Sequence, residues 1–328
     1  MDTTNKSYKK GLWLFLLLFI VFIIFNVIIG RYFYSLVLYH EIFDILIPCL
    51  IYLLLTKKPV LSTLKLDRKL NKKSVVIVFQ LFLISFLLKM GINSIVMLTG
   101  AIDPTKVTMQ VVDMAPNFLT LFIAVAILPA FLEEIIIRGV VLDQFQDTNL
   151  WQGAVMTGLL FGMMHIDIGQ LGYATALGIV MGAIVILTGS LWGGILFHFL
   201  NNFLSVVVLS MLQLIQKFVP DEYVKMLETL AEAEMQTQTT SYMDIVSQVY
   251  TLIFAIACLA IGILLSKHYI KKLQKINEEL SKEREDVIDD QQVEEHSIEN
   301  VSWMNLFFNI PFMLILIVYI GINVISRV

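Results

Sequence analysis

Nine apolar stretches set the terms for this 328-residue chain: residues 11–30, 36–55, 74–99, 118–142, 151–168, 171–189, 191–216, 246–267 and 303–326. Most are long enough to cross the hydrocarbon of a bilayer as a helix. A backbone in hydrocarbon must satisfy its own hydrogen bonds, and a helix does so within itself. The fold class expected is therefore all-α, a polytopic membrane helical bundle of about 8–9 transmembrane helices. Composition agrees. The chain is 58% hydrophobic and 15% charged, whereas soluble domains carry about a quarter charged residues. Both cysteines, Cys49 and Cys258, fall inside apolar stretches and read as small buried hydrophobes with no need of a disulfide. The first stretch follows Lys6, Lys9 and Lys10 and is too long for a signal-peptide core, so it reads as a retained span.

The loops carry an asymmetric charge. Lys57, Lys58, Lys65, Arg68, Lys69, Lys72 and Lys73 lie between the second and third stretches, and Lys267, Lys271, Lys272 and Lys275 follow the eighth. With nine spans, these clusters and the N-terminal lysines fall on one side, which should be cytoplasmic. The 217–244 loop falls on the other side and is acidic. The expected organisation is N-terminal spans over 1–110, a catalytic membrane core over 111–216, and an external loop with a further span over 217–270. A charged cytoplasmic segment over 271–302 and a C-terminal span over 303–328 complete it. Gly178 and Gly182 have the small-xxx-small spacing that lets helices approach closely.

Residues with chemistry sit inside these apolar stretches. Glu133, Glu134 and Arg138 lie in the fourth. Glu134 and Arg138 are i,i+4 and can pair directly. Glu133 lies about 100° around an ideal helix from Glu134 and about 140° from Arg138, so the arginine neutralises it least. One carboxylate held by an arginine beside another free to titrate suits base chemistry. Phe161 and His165 lie in the fifth stretch, and His198, Asn201 and Asn202 in the seventh, with His198 and Asn202 on one helix face. Asp167 falls at the membrane edge. Each alone has a plain explanation as packing glue or a satisfied core group. Together, in a chain otherwise poor in intramembrane charge, they point to a shared polar site. His165 is the awkward member, because a full-length fifth span would carry it toward the outer end, away from Glu133 and His198. A tilted or re-entrant segment would resolve this.

Other features carry less. His40-Glu41 begins like a two-histidine zinc helix, but Asp44 stands where the second histidine is needed. No nucleophile elbow, phosphate loop or nucleic-acid motif occurs. Intramembrane Glu, His and Arg also build proton relays, so a proton- or ion-coupled transporter is the alternative, and a non-catalytic membrane scaffold a third. A relay needs carboxylates staggered through the depth of the membrane, whereas these cluster in one span.

Glu-Glu-x-x-x-Arg at Glu133, Glu134 and Arg138, Phe-x-x-x-His at Phe161 and His165, and His-x-x-x-Asn at His198 and Asn202 resemble, in order and spacing, the motifs of the CPBP family. These are the CAAX-protease and bacteriocin-processing intramembrane proteases, also called Abi. The resemblance implies an intramembrane endopeptidase acting on a membrane-associated peptide or protein. Glu133 and His165 would activate water, and His198 and Asn202 would stabilise the oxyanion. Glu134, Arg138 and Phe161 would support them. Two histidines and a glutamate (Glu133, His165, His198) could also hold Zn²⁺, so a metal-free site and a zinc site both stay open. The setting expected is a bacterial cell membrane, with the bilayer and a peptide or protein substrate as partners and no nucleic acid.

The topology can be tested with single cysteines in a background lacking Cys49 and Cys258. Position 228 should label from outside intact cells, and positions 65 and 282 should not; the opposite pattern reverses the orientation.

Overall fold

The computed structural model describes residues 7–32, 39–99, 117–216, 218, 242–285 and 301–325. Each of the nine apolar stretches contains a helix: α1 (Ser7–Tyr32), α2 (Ile42–Thr56), α3 (Lys72–Leu98), α4 (Phe118–Gln144), α5 (Leu150–Met164), α6 (Ile168–Thr188), α7 (Leu191–Gln216), α8 (Tyr242–Glu285) and α9 (Ile310–Ile325). No strand occurs among the described residues. Six of these helices have the length and apolarity to cross a membrane, while α2, α5 and α9 are shorter. The chain is a polytopic α-helical membrane bundle.

Polar caps fix several helix starts. Asn71 accepts from Ser74 N–H, Asn117 from Thr120 N–H and Asp167 from Gly169 N–H. Asn149 and Gln152 form a reciprocal capping box. Each cap satisfies amides that the first turn leaves without intrahelical partners. Asp167, expected at the membrane edge, is thus the cap of α6. Helix α8 runs 44 residues, about 66 Å. This is roughly twice the hydrocarbon thickness, so the charged segment from 271 begins as a continuation of that helix. The acidic loop, apart from Phe218 and the start of α8, and residues 286–300 lie outside the described residues. Both cysteines are buried and free, as expected.

Helix α4 is the hub. It packs against α1, α2, α5 and α7, while α6 lies among α3, α5, α7 and α8. Helices α5 and α6 form an antiparallel hairpin held by glycine. A Cβ on Gly178 would lie 2.8 Å from Gly158 Cα, and one on Gly182 would lie 3.0 Å from Ala154 Cα. The Gly178–Gly182 spacing read from sequence therefore faces α5 and lets the two backbones touch.

One end of the bundle gathers the basic loop. Lys58 reaches Asp143 at 2.8 Å, Trp192 Nε1 donates to Leu66 O at 3.1 Å, and Ser190 Oγ donates to Arg68 O. The backbone N–H of Tyr8 donates to Asp147 at the same end. Residues 67–71 and Ser74, 186–189, and Asn277, Leu280 and Ser281 together line one open recess there. The α5–α6 turn lies at the other end, where Ile168 N–H donates to Asn323 near the close of α9.

Gly178→Ala should destabilise the protein by about 1–3 kcal/mol, the usual cost of overpacking a filled core. Gly30→Ala, where no atom lies within 4 Å of the added carbon, should not. Thermal unfolding of detergent-solubilised protein compares them; equal stability would mean the hairpin is not tightly packed.

Candidate active site

Helix α4 does not wind uniformly. The turns at Phe122–Ile127 and Ile135–Val141 are π-helical, and Leu128–Glu134 between them is α-helical. Pro129 lies just after the first wide turn and has no N–H to give to the preceding turn, which accounts for loosened winding there. Wide turns of this kind concentrate at functional sites. Glu133 and Glu134 close the α-helical piece, and Arg138 lies in the second wide turn.

Arg138 and Glu134 are wholly buried and pair at 2.8 Å. The guanidinium also donates to Gly178 O of α6 at 3.0 Å and lies 4.5 Å from the centre of the Phe161 ring on α5. A Cβ on Gly178 would come within 3.2 Å of Arg138 Nη2, so the glycine that closes the hairpin also admits the arginine. The Glu134 carboxylate rests against Gly194 of α7, where a side chain would collide with it. The expected i,i+4 pair is present, and it ties α4 to α5, α6 and α7.

His198 joins this network from α7. Its Nδ1 lies 3.3 Å from Glu134 Oε1, and its Nε2 lies 3.7 Å from Glu133 Oε2. Glu133 makes no contact with the arginine of the kind Glu134 makes, and its Oε2 is buried without a hydrogen bond. His165 caps α5, with Nδ1 3.0 Å from Phe161 O. A carbonyl only accepts, so Nδ1 carries the proton and a neutral His165 keeps its Nε2 lone pair free. Phe161 stands between the two histidines, edge-on to each, with ring centres 5.0 Å from His165 and 5.5 Å from His198.

Helix α5 is shorter than the fifth span expected from the sequence. The helix stops at Met164, short of the expected 168, after about 22 Å of rise. That is less than the roughly 30 Å of hydrocarbon, and His165 at its end lines the same cavity as Glu133 and His198. The chain reverses through Ile166, whose φ of +55° is unusual for a β-branched residue. Strained backbone of this kind clusters at functional sites.

Glu133, His165, His198 and Asn202 all line one cavity of about 390 Å³, a volume typical of ligand sites. Phe161 and Asn201 share its wall. Asn201, however, is committed to the scaffold: it accepts from Ser85 of α3 and donates to Phe197 O. Among the described residues no three His, Cys, Asp or Glu side chains are placed to hold a metal ion. The set Glu133, His165 and His198 does not converge as a zinc site requires, so no step is built on a metal.

The cavity also holds residues the sequence reading set aside. His40, Glu41 and Lys89 line it, with Gln170 and Tyr173. His40-Glu41 fails as a zinc motif, yet both side chains reach the cavity wall. The available signal was Glu41 and Asp44 inside or beside the second apolar stretch, since ionisable groups at that depth carry function by default.

Residues 115–204 match a family model described as Type II CAAX prenyl endopeptidase Rce1-like. The chain is 24% identical over 125 residues to a Bacillus subtilis (strain 168) protein named "Putative membrane peptidase YdiL"; the match covers 38% of this chain and 49% of that protein. The chain thus spans about half the length of this curated relative. No solved structure matches it significantly. The matched segment runs from the start of α4 into α7 and contains the three motifs in order, which supports the resemblance to the CPBP family over that segment.

Proposed function

We propose that the protein is an intramembrane endopeptidase that hydrolyses a peptide bond of a membrane-associated peptide or protein. One observation carries the reading. Glu133, His165, His198 and Asn202, from three separate helices, line a single cavity beside a buried ion pair. Scattered packing glue gives no reason for that convergence.

Glu133 takes a proton from the attacking water. Its neighbour Glu134 is committed to Arg138, which leaves Glu133 as the carboxylate available for transfer. His165 positions the same water through Nε2, the nitrogen left free when Nδ1 donates to Phe161 O. His198 and Asn202 donate to the oxygen that becomes negative as water adds. Donors fixed before reaction stabilise such an oxyanion strongly in a site of low dielectric. Glu134 holds Nδ1 of the His198 ring, so Nε2 is the nitrogen left to meet substrate.

The catalytic core is residues 111–216. The end of the bundle bearing the 57–73 loop faces the cytoplasm of a bacterial cell, because the start of α1, that basic loop and the charged end of α8 share it.

Glu133→Gln should abolish cleavage with little loss of folded protein, since shape is kept and the base is lost. The test is product formation by purified protein on a cleaved substrate found by comparing membrane proteomes of wild type and Glu133→Ala cells; undiminished turnover rules Glu133 out as the base. His198→Ala and Asn202→Ala should each slow turnover by about 10²–10³ while binding substrate almost normally. Weakened binding with an unchanged rate constant would instead make them substrate contacts. Metal analysis of the same preparations should find no stoichiometric zinc; zinc lost specifically in His165→Ala and His198→Ala would replace the metal-free mechanism.

A further inference from the structure

Beyond these four residues, the cavity contains a second buried carboxyl group that the mechanism leaves unused. Glu41 is 92% buried by an exposure of 8%. It lines the cavity with Glu133, and its Oε2 has no hydrogen-bond partner. It lies immediately before α2, which packs against the stretch of α4 that carries Glu133. It also lies outside residues 115–204, so the family match does not account for it.

The surroundings of Glu41 are organised. One turn on, Asp44 is fully buried and accepts from Asn26 Nδ2 of α1 at 2.7 Å and pairs with His40 Nδ1 at 2.6 Å. His40 is thereby occupied by Asp44 and does not neutralise Glu41. Glu133 and Asp44 are the carboxylates near enough to repel it. Lys89 is the nearby cation on the cavity wall, and no ion pair joins it to Glu41. Burying a carboxylate without a partner costs far more than burying the neutral acid, so the unpartnered Glu41 is the group suited to carry a proton. Both residues line the same cavity as Glu133 and Glu41, and each has an oxygen without a hydrogen bond, which offers one site both a base and an acid.

We propose that Glu41 is a further catalytic residue, the general acid that protonates the departing amine. The role rests on the endopeptidase reading above. Water adds to the carbonyl carbon and gives a proton to Glu133. The C–N bond then breaks as the nitrogen takes the proton held by Glu41, releasing an acid and an amine. Glu133 now carries the proton and Glu41 the charge, and transfer between them restores the starting state. The sum is one water consumed per peptide bond, with no other reactant.

An acid is needed for a poor leaving group and little needed for a good one. The experiment therefore compares a peptide substrate with its thioester analogue at the same bond, using purified full-length protein in detergent. Glu41→Gln should lose about 10²–10⁴-fold on the peptide and less than about tenfold on the thioester. Glu133→Gln should lose both, because water must still be activated. Glu41→Asp, which retains a transferable proton, should recover part of the peptide rate. Retained thioester hydrolysis also shows that Glu41→Gln is folded. Equal losses on both substrates in Glu41→Gln and Glu41→Asp, or no loss on either, would overturn the acid role alone. Wild-type rates for Glu133→Gln on both would remove the endopeptidase mechanism itself.

Discussion

The buried pair of Glu134 and Arg138 is the interaction on which the centre of this bundle depends. Both side chains are fully excluded from solvent. Charges at this depth are tolerated only when each finds its partners within the protein. Arg138 finds a carboxylate on its own helix, a backbone carbonyl on α6 and an aromatic face on α5. Glu134 finds the arginine and His198 of α7. Four helices are thus brought to one point, and the small residues at Gly178 and Gly194 are what let them come so close.

That arrangement gives two adjacent glutamates different roles. Glu134 is spent on structure. Glu133, one residue earlier, lines the cavity and makes no ion pair with the arginine. The difference in environment comes from helix geometry, and it is the kind of separation that lets one of two acids act while the other stays fixed. Phe161 serves both halves: one face meets the guanidinium, and its ring separates two histidines.

Much of this was legible in the sequence, because the bilayer restricts what an apolar stretch can become. Each of the nine stretches contains a helix, and the i,i+4 pairing of Glu134 with Arg138 is present. The depth of His165 was harder. Hydropathy does not register that α5 ends at Met164, because Ile166 and Ile168 beyond the turn are as apolar as the helix. The π-helical turns of α4 were equally hidden, since an ideal wheel assumes uniform winding. Glu41 carries little local signal, because Asp44 breaks the zinc motif that His40-Glu41 begins. Its place depends on α2 packing against α4, a long-range contact that local spacing does not encode.

The central claim is that Glu134 and Arg138 stabilise the bundle as a pair. A double-mutant cycle tests it directly, with Arg138→Met, Glu134→Gln and the two combined, followed by equilibrium unfolding in detergent. Each single change strands a buried polar or charged partner and should cost about 3–5 kcal/mol. The double variant removes both charges and should cost well under the sum of the two, a coupling of at least about 1 kcal/mol. Strictly additive losses, or single variants as stable as wild type, would contradict the account.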